Sequence, residues 1–277
     1  MSAPPTPTLP PRPVIGILHP GVMGAAIGSS LKPVAGAVVW AAAGRSVPTS
    51  KRAETADLIG VPDLPELARR SHVIISICPP HAALDVAGQV ADALGDRPER
   101  PLYVDANAVS PATVTAVAER LGAEHVVDGA VIGPPAWERG STVLWLSGVR
   151  AAEVAALFDH SPFDARVLGD DLGAASALKA CFGLQSKVVP ALWLTMAQAA
   201  RAHGVEDALR EELARDDIDY PALISRAAGR AAAKGWRWAG EMEEAADAIA
   251  ALGLPDGFSR AAAEVYRAAG NPEGRRS

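Results

Sequence analysis

The chain has 277 residues, 49% hydrophobic and 21% charged, a balance typical of a globular protein with length for one large core or two smaller ones. A net charge of −6 and a pI near 5.5 argue against nucleic acid or an anionic membrane as the main partner. No apolar run reaches the ~20 residues of a membrane-spanning helix, and the six histidines are scattered without metal-ligand spacing, so neither a membrane nor a metal is expected. The two cysteines, Cys78 and Cys181, form no C-x-x-C pair and suit reduced thiols in a cytoplasmic protein.

Residues 1–13 are proline-rich and lack an apolar signal-peptide core, which predicts a disordered leader. From 14 to 170, short apolar or β-branched runs alternate with helix-like segments. The predicted strands are 14–18, 37–41, 73–77, 102–105, 125–128, 142–146 and 166–168. The predicted helices are 23–31, 50–58, 64–69, 80–94, 111–121 and 151–158. This alternation implies βαβ units and a mostly parallel sheet. From 171 to 277 the pattern is helical and alanine-rich. A helix over 173–203, about 45 Å long if unbroken, is expected to kink at Pro190. Further helices are predicted over 206–215, 219–234, 236–252 and 257–268, punctuated by Gly204, Pro221, Gly235 and Leu254-Pro255-Asp256-Gly257. The fold class is α/β, a Rossmann-type doubly wound sheet domain followed by an all-α domain. The apolar length of these helices predicts a homodimer interface.

In an open parallel sheet, ligands sit beyond the carboxyl ends of the strands. The first strand end, Val14-Ile-Gly-Ile-Leu-His-Pro-Gly-Val-Met-Gly24, leads into the small-residue helix Ala25-Ala26-Ile27-Gly28. Gly16, Gly21 and Gly24, with His19, Pro20, Val22 and Met23, form a candidate diphosphate turn, in which backbone N–H groups and a helix N-terminus face an anion. The spacing departs from G-x-G-x-x-G because His19-Pro20 precede Gly21. Such turns also arise for steric reasons alone. The second strand end carries no acid for a ribose 2′-hydroxyl. Arg45 and Ser46 stand there, with Thr49, Lys51 and Arg52 nearby, a set suited to a 2′-phosphate and hence to NADP(H) over NAD(H). A solvated surface arginine is the competing reading. In Ser76-Ile77-Cys78-Pro79-Pro80-His81 the prolines fix the path beside the cofactor, and Cys78 reads as packing rather than a nucleophile. Asn107, in Asp105-Ala-Asn-Ala-Val-Ser-Pro111, can read a carboxamide or a substrate oxygen, while Ser110-Pro111 also suits an ordinary helix cap.

These turns, in this order, resemble the β-hydroxyacid dehydrogenase superfamily, which includes 6-phosphogluconate dehydrogenase, 3-hydroxyisobutyrate dehydrogenase and the imine reductases. Residues 236–266 resemble a subgroup with a phosphogluconate dehydrogenase-like C-terminal domain of undefined activity. The resemblance spans Val14 to Tyr266 and implies hydride transfer between a nicotinamide and a hydroxyl- or imine-bearing carbon. It also implies a catalytic lysine early in the interdomain helix, which in Gly169-Asp-Asp-Leu-Gly-Ala-Ala-Ser-Ala-Leu-Lys179 falls on Lys179. On a helix, Lys179 neighbours Ala175, Ser176, Phe182 and Gly183, with Ser186 one turn further on. That small, apolar face predicts a partly desolvated amine in a useful acid/base range. A lysine snorkelling to solvent is the plain alternative.

Three departures from the family pattern stand out. Phe182 and Gly183 replace an Asn, and Ile132-Gly133-Pro134 replaces a Ser-Gly-Gly loop that holds the substrate carboxylate. Gly240, followed by Glu241, replaces a late cofactor-facing lysine. Two of these remove polar groups, which points to a less polar, larger or different substrate. The expectation is an NADPH-dependent oxidoreductase whose substrate lies between the sheet's carboxyl edge and the 173–203 helix. Lys179 is its acid/base, and Asn107, Gly133 and Pro134 meet the substrate. Trp137, Trp236 and Trp238 are candidate pocket walls, with core or dimer packing the favoured role. Imine reduction is the alternative chemistry. A non-catalytic NADPH-binding protein is the rival from another class.

Overall fold

The computed structural model describes residues 9–270. Eight strands form one sheet: β1 (Val14–Ile17), β2 (Ala37–Ala41), β3 (Ile59–Val61), β4 (Val73–Ser76), β5 (Leu102–Asp105), β6 (Val126–Ile132), β7 (Val143–Ser147) and β8 (Asp164–Gly169). Their order is β3-β2-β1-β4-β5-β6-β7-β8. Pairing is parallel from β3 through β6, antiparallel between β6 and β7, and parallel again between β7 and β8. The sheet grows outward in both directions from β1 and β4, so the crevice between their carboxyl ends is the topological switch point.

Six helices connect these strands: α1 (Val22–Leu31), α2 (Val47–Thr55), α3 (Leu64–Arg70), α4 (Ala83–Leu94), α5 (Pro111–Leu121) and α6 (Ala151–Ala156). Successive strand residues point to opposite faces, and both faces are apolar. Ile15, Ile17, Val38, Trp40, Val73 and Ile75 join Ile27 and Leu31 of α1 and Val154 of α6 in one core. Val39, Ile74 and Tyr103 join Leu67 of α3, Val90 of α4 and Val117 of α5 in the other. Gly16 faces α3, where a Cβ would come within 2.5 Å of Ser71 Oγ and 2.7 Å of Leu67 Cδ2, so packing alone demands glycine there.

Several boundaries differ from the sequence reading. β3 was not expected: it is a three-residue edge strand whose Ile59 is half exposed, too short to show a pattern. α2 starts earlier, at Val47 with Pro48 in its first turn, and ends at Thr55. β6 continues past Asp128 to Ile132 because it pairs antiparallel with β7 over that length. Residues 1–8 of the predicted leader lie outside the described residues. Residues 9–13 are anchored: Leu9 packs on the first core, Arg12 Nη2 donates to the Ala35 carbonyl at 2.8 Å, and Gly36 N donates to the Pro13 carbonyl at 3.0 Å.

The chain divides into two compact units, the first running to Leu178 and the second starting at Lys179. The boundary therefore falls inside α7 (Ala174–Gly183) rather than at residue 170. The predicted 173–203 helix is interrupted ahead of Pro190, not at it. A π-helical turn, Leu184–Val188, separates α7 from α8 (Val189–Ala202), and Pro190 occupies the first turn of α8. After α9 (Glu206–Arg215), α10 (Tyr220–Ala250) runs unbroken through Gly235, which is buried, where two helices were expected. The last helix is α11 (Gly257–Gly270). The core of this unit is mainly alanine, with Trp238, Met242 and Tyr266 as its large members. Small residues let these helices approach closely, and the three large side chains fill the remaining space. Among the described residues, no helix is long and apolar enough to cross a membrane, and no group of three or more His, Cys, Asp or Glu could hold a metal.

Candidate functional site

α1 starts at the carboxyl end of β1, at the switch point. A Cβ on Gly24 would lie 2.2 Å from the His19 carbonyl oxygen, so only glycine allows the turn to fold over the first turn of the helix. At Gly21, the N-cap, a Cβ would meet nothing within 4 Å. No side chain caps α1 and no acid stands in its first turn, so its N-terminal N–H groups and partial positive charge face that open space. Pro20 is buried, Met23 half-buried and Val22 exposed. The His19 Nδ1 is buried with no hydrogen-bond partner. Burial, and then the charge of Arg45, pull the pKa of this ring down to about 4, leaving a neutral imidazole at neutral pH.

Arg45 follows β2. Its Nη2 donates to the Leu18 carbonyl at 3.0 Å, which draws the guanidinium back over the glycine turn. Ser46 is the N-cap residue of α2 and is exposed, its hydroxyl 3.0 Å from Thr49 Oγ1. Arg45, His19 and Cys78 are close enough to influence one another's protonation. Burial and the neighbouring Asp105 push the Cys78 thiol up to about 12, so it stays protonated, in keeping with a packing role. Pro79 and Pro80 lead into a single 3-10 turn, Pro80–Ala82, with Pro80 buried.

Asn107, 2% exposed, ties the ends of β4 and β5 together. Its Oδ1 accepts from Cys78 N at 2.6 Å and its Nδ2 donates to Ser76 Oγ at 3.2 Å. Its backbone N–H donates to Asp105 Oδ1 at 3.0 Å. These bonds use one N–H and one oxygen lone pair of the amide, which can form one further bond of each kind. Ser110 caps α5 by accepting from Thr113 N at 3.2 Å, so its cap reading holds.

After β6, Gly133 adopts φ +137°, and a Cβ there would strike Ser141 O and Thr142 Oγ1, each at 2.5 Å. The hydroxyl of Thr142 also donates to the Pro134 carbonyl, which knits residues 133–134 to the start of β7. Trp137 is exposed, in a cleft beside Ala25, Pro48 and Arg52 on the α1–α2 side of the sheet. Asp128, fully buried, was not singled out from the sequence. Its carboxylate accepts from Ser176 N at 2.8 Å, Ser176 Oγ at 2.7 Å and Ser147 Oγ at 3.3 Å, and so anchors the first turn of α7.

In the helical unit, Lys179 is half-buried on α7. The sequence placed it on a purely small and apolar face. Instead, α10 brings the carboxylate of Glu241 close enough for the two charges to couple. Glu241 is paired with Lys187, which the sequence reading also missed: Lys187 Nζ lies 2.8 Å from Glu241 Oε2, with side chains only 14% and 12% exposed. Burial acts on Glu241 first and upward, but Lys187, Lys179 and Arg237 outweigh it and hold the carboxyl below the usual range. Phe182 is largely exposed, and so is Trp236. Trp238 is 4% exposed and stacks edge-on to Tyr266 at 5.2 Å, which makes it a core residue rather than a pocket wall.

Residues 200–269 match a family described as a domain of unknown function, DUF1932. An uncharacterized 28.5 kDa protein from the 7S RNA 5′ region of Methanothermus fervidus is 31% identical over 170 residues, which are 61% of this chain and 64% of that protein. The match thus spans less than two thirds of this relative. A conserved hypothetical protein from Sinorhizobium meliloti has a similar structure, with a TM-score of 0.68 at 25% identity over 92% of this chain and 87% of that one. The conserved protein MTH1747, of unknown function and described as structurally similar to 3-hydroxyacid dehydrogenases, gives 0.66 at 25% identity over 93% and 99%. At lower identity, where likeness speaks of fold alone, Mycobacterium tuberculosis 3-hydroxyisobutyrate dehydrogenase with L-serine gives 0.66 at 18% over 94% of each chain. A reductive aminase from Aspergillus terreus, in complex with NADPH and ethyl levulinate, gives 0.55 at 17% over 95% of each.

The mostly parallel sheet with a glycine turn at its switch point, followed by a helical region, is the fold of nicotinamide-dependent dehydrogenases and reductases. The chain shares this fold with Mycobacterium tuberculosis 3-hydroxyisobutyrate dehydrogenase and with MTH1747, and its residues 200–269 match the DUF1932 domain.

Proposed function

We propose that the chain is an NADPH-dependent oxidoreductase that moves a hydride between the cofactor and a small hydroxy- or oxo-acid-like substrate, with Lys179 as the acid/base. The observation that carries this reading is the cradle at the end of β1: open space at Gly21, a steric demand for Gly24, and an uncapped α1. A diphosphate fits there against the first N–H groups of α1, with the neutral His19 ring beside it as a hydrogen-bonding partner. Arg45 and Ser46, at a strand end without a carboxylate, suit a 2′-phosphate, because a guanidinium fork matches phosphate oxygens. The bound nicotinamide supplies or takes up the hydride. The Lys179 ammonium gives its proton to the substrate oxygen during reduction and the free amine recovers it during oxidation. The dehydrogenase and NADPH-bound reductase of the same fold support the cofactor class.

Imine reduction is the second reading. It is favoured by exposed Phe182, at 44%, where the hydroxyacid enzymes that the sequence resembles carry a polar amide. A nitrogen substrate needs no carboxylate-holding amide. The surroundings of Lys179 permit both chemistries, because an ammonium protonates either atom. A cytoplasmic setting suits the two free thiols, Cys78 and Cys181. A homodimer through the helical unit is also proposed, from the exposed Val189, Leu192, Trp236, Leu252 and Phe258. Light scattering that finds a monomer at micromolar concentration overturns the dimer.

NADPH and NADH are titrated by fluorescence. Then 3-hydroxy acids, the matching oxo acids and cyclic imines are screened by NADPH absorbance. NADPH is expected to be preferred, and Arg45→Ala to erase the preference. Equal efficiency with both cofactors overturns the assignment. Lys179→Ala is expected to lower turnover by roughly 10²-fold or more with NADPH binding intact; near-full activity removes Lys179 from the mechanism. Tight NADPH binding with no turnover across the panel leaves a non-catalytic binding protein.

A further inference from the structure

The π-helical turn at Leu184–Val188 follows directly on the helix that carries Lys179. π turns absorb one extra residue into a helix and cost stability, so they persist where something holds them. In an unbroken α-helix, a residue eight positions on lies about 80° round the axis from the first, and the residue seven positions on is the nearer neighbour. The absorbed residue turns Lys187 back toward the face of Lys179, where Ser186 would otherwise have stood. Both lysines accordingly act on one carboxylate, Glu241 of α10.

The turn is held at two points. Lys187 Nζ is 2.8 Å from Glu241 Oε2, in a pair with both side chains nearly buried. The hydroxyl of Tyr266, on α11, donates to the Lys187 backbone carbonyl at 2.6 Å, so α11 holds the π turn by its backbone. Tyr266 is fully buried and fixed edge-on by Trp238, over which Arg230 sits at 5.2 Å. One lysine is thus gripped by its side chain from α10 and by its backbone from α11.

We propose that Glu241 and Tyr266 clamp the π turn, and that Glu241 is a positioning residue that sets Lys187 beside Lys179 and governs the charge on Lys179. This rests on the reading of Lys179 as the acid/base. The charged groups acting on Glu241 are Lys187 from the π turn, Lys179 from α7 and Arg237 from its own helix, the last with Nε 3.4 Å from Oε1. Electrostatic coupling is reciprocal: a carboxylate stabilised by a lysine stabilises the protonated form of that lysine by the same amount. Glu241 therefore favours the proton-donating ammonium of Lys179, while Lys187 holds one oxygen of the same carboxylate.

The test needs no substrate. In the full-length protein with ¹³C-labelled lysine, the Cε resonance of Lys179, assigned by its loss in Lys179→Arg, is followed against pH. Glu241→Gln is expected to move its midpoint down, and Lys187→Met to move it up by removing a like charge. Tyr266→Phe frees the π-turn carbonyl and is expected to shift the midpoint less, while broadening the resonance. If Glu241→Gln does not fold, Lys187→Met carries the same test with the opposite sign. An unchanged midpoint in both variants overturns the proposal. With a substrate in hand, Glu241→Gln is expected to lower kcat several-fold with the KM for NADPH unchanged, and a normal kcat overturns the positioning role. The outcomes separate from the functional reading. If Lys179→Ala is fully active while the midpoints move, the acid/base assignment fails and the clamp stands. If Lys179→Ala is inactive while the midpoints stay fixed, the clamp fails and the acid/base assignment stands.

Discussion

The two units build polar sites by opposite means. In the sheet unit, the candidate cofactor groups are backbone atoms and side chains at strand ends, brought together by the pairing of neighbouring strands. Gly24 lets a turn close, Gly21 leaves a space open, and Asn107 ties two strand ends with one amide. In the helical unit the charged groups are long side chains on helix faces, and their meeting depends on helical phase accumulated over many residues. Lys187 acts beside Lys179 because a π turn absorbs a residue between them, and Glu241 meets both from a helix some sixty residues later in the chain. A strand-end site is marked by local sequence, even though its parts meet through the sheet. A helix-face site is a property of packing.

The comparison breaks if damage in one unit spreads to the site of the other. Trp238→Ala removes the largest side chain of the helical core and should cost about 3–5 kcal/mol, read by denaturant unfolding. NADPH affinity of the folded protein should be unchanged, since the proposed cradle lies wholly in the sheet unit. Loss of NADPH binding by a folded Trp238→Ala protein contradicts this separation. Gly24→Ala is the matching change in the sheet unit. Its Cβ would sit 2.2 Å from the His19 oxygen, a distance only backbone movement can relieve. A destabilisation of about 1–3 kcal/mol is expected, together with at least tenfold weaker NADPH binding, measured by fluorescence titration. Tight binding in this variant removes the turn from the cofactor site. Asn107→Ala leaves the Cys78 N–H without its 2.6 Å acceptor and should cost about 1–2 kcal/mol. Unchanged stability of Asn107→Ala in denaturant unfolding removes this tie between the strand ends.

The same contrast explains what could be read from the sequence. β2, β5 and α5 appear at their expected limits because β-branched runs and a Ser-Pro cap state them locally. The glycine turn and the acid-free end of β2 were legible for the same reason. β3 was not, since three residues with one exposed isoleucine carry no period. Gly235 suggested a helix end, but burial against neighbouring helices carries α10 straight through it. Pro190 suggested a kink at its own position, yet the irregularity is the π turn over the preceding residues, whose carbonyls would have met the N–H that proline lacks. The sequence does not single out Lys187 and marks Glu241 only beside Gly240, because their pairing depends on the phase shift of the π turn. Asp128 looked like a strand terminus, because its partners Ser147 and Ser176 are 19 and 48 residues away.

The smallest expected effect concerns His19, and its sign follows from the direction of its shift. In the native state the pKa of the ring is lowered from 6.5 to about 4, by burial and then by Arg45. Between those values the unfolded chain binds a proton that the native chain refuses, so acid favours unfolding there. The contribution is fully present above pH 6.5, declines as pH falls toward 4, and is constant below. For a partly buried ring, after allowance for solvent screening, about 1–2 kcal/mol is at stake. His125 is also lowered, chiefly by burial, and contributes with the same sign, but it is common to wild type and a His19→Asn variant and cancels in their difference. Thermal unfolding midpoints should therefore fall more steeply for wild type than for His19→Asn between pH 6.5 and 4. A bound diphosphate offers the ring an anionic acceptor and should reduce the steepness of the wild-type curve when NADPH is added. Parallel curves for the two proteins without cofactor contradict the burial of His19. A wild-type slope that NADPH leaves unaltered places the ring away from the phosphates and narrows the cradle to Gly21, Gly24 and the first turn of α1.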